Sequence, residues 1–133
     1  MATKVIYFVR HGETANNALH IKQGPEGPLS DKGREQALAT AKRFPKGRGR
    51  PQLIVSSPYE RTKETAEIIA KELKMKVKYS DLLVERRNPS GVVGHDAGDL
   101  DVRKVLDRID KSYHPDDLRV SDEENFADLK LRA

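Results

Sequence analysis

The run Val5-Ile6-Tyr7-Phe8-Val9, five apolar residues in succession, follows Lys4 and closes on Arg10-His11-Gly12. A short, unbroken apolar stretch bounded by charge predicts a strand buried on both faces, the kind found in a parallel sheet covered by helices. Open sheets of that type bind ligands beyond the carboxyl ends of their strands. Arg10 and His11 would then emerge where a ligand pocket is expected, which makes His11 a candidate for chemistry. A polar pair that merely closes a strand is the plainer alternative for so short a motif.

The rest of the chain alternates strand and helix signals. Ser30 predicts the N-cap of a helix reaching about Phe44, with Ala37, Leu38, Ala41 and Phe44 on one face and Pro45 as its stop. Residues 52–55 predict a second buried strand. A second helix signal follows, with a capping box at Ser57 and Glu60, proline at its first position, and Ala66, Ile69, Ala70 and Leu73 facing inward. Residues 76–79 alternate as a third, edge strand. Asn88-Pro89-Ser90-Gly91 reads as a turn. Val102, Val105, Leu106 and Ile109 mark a helix over about 99–112, and Ser121 with Glu124 forms a capping box opening a helix through Phe126 and Leu129. The order predicts an α/β fold with a mainly parallel central sheet flanked by helices.

Composition narrows the functional classes. At 133 residues the length suits one domain over 1–133. With 36% hydrophobic and 35% charged residues, the chain combines an ordinary core with a highly charged surface. The net charge of +4 suits an anionic substrate, but a solvated surface is the better account of most of it. The absence of cysteine excludes disulfides, thiolate metal sites and a cysteine nucleophile. The apolar runs are far too short for a membrane span or a signal segment, so a cytoplasmic protein with no membrane partner is the expectation. Residues 45–51 form a basic, glycine-rich turn, but it lacks aromatic partners, so a solvated loop is expected there rather than a nucleic-acid contact.

Taken together, Arg10-His11-Gly12-Glu13-Thr14, Asn17, Gln23-Gly24, Pro28-Leu29-Ser30, Ser57-Pro58-Tyr59-Glu60-Arg61-Thr62 and Leu83-Val84-Glu85 occur in an order and spacing that resembles the histidine phosphatase superfamily, the phosphoglycerate mutase-like proteins. The likeness covers at least residues 4–85. It implies a small phosphorylated substrate and no metal or organic cofactor. His11 would be the nucleophile, carrying a phosphohistidine between two steps. Arg10 and Arg61 would hold phosphate oxygens with planar, permanently charged forks. The residues matching Asn17 and Gly24 would add a side-chain amide and a backbone N–H, and Glu85 would be the general acid and base.

Physical chemistry bears on each assignment. Arg61 falls in the first turn of its helix, where the macrodipole disfavours a cation by about 0.3–1 kcal/mol unless an anion is bound nearby. Glu60 and Glu64 could offset that cost on the surface. Gly12 would let backbone approach the ring and the phosphate. To donate a proton, Glu85 needs burial that favours its neutral form, which Leu82, Leu83 and Val84 could supply; a solvent-facing or salt-bridged carboxylate beside Arg86 and Arg87 is the alternative. His20, His95 and His114 read as surface or loop residues, and their scatter suggests no metal site.

The resemblance also carries a departure. Family members bear a second active-site histidine at the end of a further buried strand, after the helix that here begins near Ser121. The sequence ends before such a strand, so the expectation is a C-terminally incomplete domain with an apolar sheet edge through which copies could associate as a homo-oligomer. Phosphomonoester hydrolysis is the expected reaction. Phosphoglycerate mutase-type transfer is a rival, but those members carry Arg-His-Tyr-Gly after the acid, where this chain has Arg86-Arg87-Asn88-Pro89. A catalytically impaired phosphate-binding fragment is the third reading.

Overall fold

The computed structural model describes residues 3–111, 119 and 121–132. In chain order the elements are α1 (Ala15–Ala18), α2 (Asp31–Arg43), β1 (Ile54–Ser56), α3 (Glu60–Leu73), β2 (Val77–Tyr79), a 3-10 turn (Asp81–Leu83), α4 (Leu100–Lys111) and α5 (Phe126–Arg132). The two strands pair in parallel, with Ile54 opposite Val77 and Ser56 opposite Tyr79. Their connection is α3, so the unit is a β-α-β crossover in an α/β fold.

α2 begins where the sequence predicts. The Ser30 hydroxyl accepts from the Gly33 N–H, and Phe44, next to Pro45, leaves helical geometry. Ala37 and Ala41 are buried on its inward face, whereas Leu38 is exposed. Burying alanines lets α2 and α3 lie close, and α3 contributes Ala66, Ile69 and Ala70 to the core. Residues 45–51 form a loop as expected, anchored by Arg50, whose guanidinium donates to the Leu73 carbonyl at the C-terminus of α3 at 2.5 Å.

Three local expectations are corrected. Residues 4–9 are not a strand: Ile6 is 74% and Phe8 94% exposed, and no backbone hydrogen bond joins this run to another segment among the described residues. Its apolar side chains have sheet-forming chemistry, but a strand requires a partner and β1 pairs with β2 instead. The Ser57–Glu60 capping box is absent. Tyr59 occupies the N-cap position without a side-chain bond, Ser57 Oγ meets Thr62 Oγ1, and Glu60 turns away to accept from the Gly27 N–H at 2.8 Å. Finally, α5 is capped by Asn125 and Asp128, each side chain accepting from the other's backbone N–H, rather than by Ser121 and Glu124. Glu124 is drawn to Arg132 instead. α4 starts with Asp99 Oδ1 accepting from the N–H groups of Asp101 and Val102, as its periodicity predicts, and it buries Val102 and Ile109.

Candidate active site

The loop after residue 9 is built around two glycines. A Cβ on Gly12 would meet the Gly33 carbonyl oxygen at 2.3 Å, and one on Gly33 would meet the Glu13 carbonyl oxygen at 2.0 Å. The first turn of α2 therefore packs directly on the backbone that carries His11. This differs from the expected role of Gly12, since the space it leaves is filled by Gly33. The Gly12 N–H donates to Thr65 Oγ1 at 3.1 Å, and the Thr65 hydroxyl donates to the Arg61 carbonyl at 2.8 Å. One buried hydroxyl thus links the His11 loop to the helix turn that bears Arg61.

His11 is half-buried, with Nδ1 2.7 Å from the Gly12 carbonyl oxygen. A carbonyl can only accept, so this bond places the proton on Nδ1 and, in the neutral ring, leaves the lone pair on Nε2. Arg61 is the most enclosed charge of the site, its side chain 4% exposed. Nη1 donates to the Gly24 carbonyl at 2.7 Å, Nη2 to Glu85 Oε2 at 2.9 Å, and the guanidinium lies 5.2 Å from the Tyr59 ring centre. Its buried Nε has no partner among the described residues. Position explains the burial: Arg61 is the second residue of α3, and its neighbours on that helix face form the core.

Glu85 departs from expectation. Its side chain is 66% exposed, and Leu82 and Leu83 are 60% and 53% exposed, so the predicted burial is not found. Its ion pair is made with Arg61 rather than with either adjacent arginine. The segment carrying Glu85 is held from the far end of the chain. Arg132 donates to the Leu82 carbonyl at 2.9 Å, the Glu124 N–H to the Arg87 carbonyl at 3.1 Å, and the Ser90 N–H to Asp122 Oδ1 at 2.8 Å. Hydrogen bonds from Arg132 hold the Glu124 carboxyl below the usual range, and those from Ser90 do the same for Asp122.

These residues border a cavity of about 580 Å³ lined by Arg10, His11, Asn17, Arg61 and Glu85. Five of the six predicted site residues are thus together. Asn17 also caps the start of α1, its Oδ1 accepting from the Thr14 N–H while its own backbone N–H donates to Thr14 Oγ1. Gly24 borders an adjoining depression that shares Arg61 and Glu85 with the first. The cavity further includes His20, Lys22, Gln23 and Asn88, which motif spacing did not single out as site residues. His20 and Lys22 arrive there because Ile21 bridges Asp96. His95 contributes only its carbonyl to that bridge, and His114 lies outside the described residues. Among the described residues no cluster of histidines and carboxylates could hold a metal ion, and no helix is long and apolar enough to cross a membrane.

Comparison with known proteins follows the same lines. The probable phosphoglycerate mutase GpmB of Cronobacter sakazakii is 47% identical over 66 residues, which are 49% of this chain and 30% of that protein. The solved structure of mycobacterial glucosyl-3-phosphoglycerate phosphatase complexed with VO3 superposes with a TM-score of 0.74 at 27% identity, covering 92% of this chain and 57% of that one. TTHB049 from Thermus thermophilus superposes with a TM-score of 0.68 at 22% identity over 93% of this chain and 65% of that one, a likeness of fold. The chain therefore spans less than two thirds of the length of these relatives. The model of the histidine phosphatase superfamily (branch 1) matches residues 6–133, and the chain belongs to that superfamily.

Proposed function

We propose that the protein hydrolyses phosphomonoesters through a phosphohistidine on His11. The observation that carries this reading is the cavity that unites a ring nitrogen free to attack with a buried, incompletely bonded arginine and a carboxylate. His11 Nε2 attacks phosphorus, the N–P bond forming as the ester P–O bond breaks, while the proton stays on Nδ1. Arg10 and Arg61 take the phosphate oxygens, with Arg61 Nε supplying a donor that no described residue uses. Asn17 and the Gly24 backbone complete the cradle.

An arriving phosphate competes with Glu85 for Arg61 Nη2. Once released, Glu85 in its protonated form gives its proton to the departing alkoxide. Its carboxylate then takes a proton from water, whose oxygen attacks phosphorus as the N–P bond breaks, and inorganic phosphate leaves. Positioning and charge do most of the work, as phosphoryl transfer requires.

The test is the product balance on an aryl phosphate. Equal amounts of aryl alcohol and inorganic phosphate are expected. A deficit of phosphate matched by phosphorylation of an added alcohol would indicate mutase-type transfer. Retained phosphate binding without release of aryl alcohol would contradict catalysis and leave a phosphate-binding module.

A further inference from the structure

Two basic side chains of the cavity, His20 and Lys22, lie outside the proposed phosphate cradle. His20 and Lys22 stand on the turn after α1, and that turn is clamped. The Lys22 N–H donates to the His95 carbonyl at 3.0 Å, the Gly94 N–H to the Lys22 carbonyl at 2.8 Å, and the Ala97 N–H to the His20 carbonyl at 2.8 Å. His20 is held at φ 57°, a left-handed conformation that a side chain disfavours. The clamp keeps Ile21 paired with Asp96 and leaves the flanking side chains lining the cavity.

The charges of the cavity do not balance. Glu85 is committed to Arg61, and Glu13 to Lys32 at 3.3 Å and to the Ser30 hydroxyl. Arg10 and Lys22 have no ion pair or side-chain hydrogen bond among the described residues, and neither has His20. Arg10 is accounted for by the phosphoryl group. Lys22, half-buried on the opposite side of α1 in sequence, is not. At about 580 Å³ the cavity also has the size of a site for a whole small molecule rather than a bare phosphoryl group.

We infer that Lys22, assisted by His20, is a specificity-determining residue that recognises a second anionic group, a carboxylate or another phosphate, on the body of the substrate. The inference rests on the phosphomonoester reading of the same cavity. A lysine fits this task because its ammonium is a compact charge that can meet an anion from several directions.

Equilibrium binding tests it without requiring turnover. Methylphosphonate, phosphonoacetate and methylenebisphosphonate are titrated into the protein, Lys22→Met and Lys22→Arg. At least one of the two difunctional ligands should bind about tenfold more tightly than methylphosphonate, the scale of one charge-assisted contact. Which of them does so identifies the second group. Lys22→Met should abolish that preference and leave methylphosphonate affinity within about twofold, and Lys22→Arg should restore most of it. Equal affinities in the unaltered protein, or a preference that survives Lys22→Met, overturns the inference. Intact preference with no ester turnover removes the catalytic reading while the subsite stands; failure of all three ligands to bind contradicts both.

Discussion

Arg61 and Glu85 form an ion pair of 2.9 Å between a side chain that is 4% exposed and one that is 66% exposed. Removing the exposed partner frees the buried one, so the two can be separated experimentally. Glu85→Gln should keep phosphate binding through Arg61 yet lose turnover. The loss in the first step, the initial release of alcohol before phosphohistidine is cleaved, should reach about 10²–10⁴-fold on an ester with a poor leaving group and be far smaller on an activated aryl ester, which needs little protonation. Equal losses on both substrates would assign Glu85 another role.

Thr65 joins the Gly12 N–H to the Arg61 carbonyl and is 5% exposed. Thr65→Val keeps the shape but leaves a buried N–H without an acceptor. Urea unfolding should show a loss of about 1–3 kcal/mol, and turnover should fall because the loop carrying His11 is no longer tied to α3. Thr65→Ser should restore both. A valine variant with unchanged stability would mean that water or backbone replaces the hydroxyl.

Gly12 and Gly33 face backbone oxygens at distances no methyl group can occupy. Alanine at either position should destabilise by about 1–3 kcal/mol in chemical or thermal unfolding, as overpacking does. Gly47, with open space around it, serves as the control and should accept alanine with little change. Equal melting of all three variants would contradict the close packing of the His11 loop on α2.

Acid should loosen the segment that holds Glu85 in place. The Glu124 carboxyl lies below its ordinary value of 4.5, chiefly through hydrogen bonds from Arg132. A carboxyl held lower in the folded state than in the unfolded one stabilises fully above the unfolded value, and that contribution is lost as pH falls through the folded one. Protection of residues 121–132 from hydrogen exchange, measured against the intrinsic rate at each pH, should therefore fall below about pH 4.5. Glu124→Gln should show low protection already at neutral pH and little further change on acidification. An acid limb that is identical in the variant would place the titrating group elsewhere.

Local signals carried much of this architecture. Ser30, Ala37 and Ala41 mark α2 because cap and periodicity act within one helix, and Ala66, Ile69 and Ala70 do the same for α3. Where distant groups compete, local reading fails. Glu60 could bond its own helix terminus but meets Gly27, and Glu124 leaves its cap for Arg132. Residues 4–9 have the composition of a buried strand, yet pairing is a property of neighbours and not of the run itself. In the site, the residues of compact motifs converge, whereas Lys22 depends on a bridge to residues 94–97 that no spacing reveals. The sequence left Glu85 open between burial and exposure, and its exposure follows from how Leu82 and Leu83 are turned outward.

The most direct test of the whole account is the chemical state of His11 during turnover. The protein is mixed with a phosphodonor, quenched in alkali, and mapped for phosphate that is stable to base and released by acid. A single such label on His11 is predicted, absent from His11→Ala and accumulating in Glu85→Gln when an activated ester loads it, since the second step loses its base. Label that persists at the unaltered level in His11→Ala, or ester hydrolysis by that variant at the original rate, would contradict the phosphohistidine mechanism.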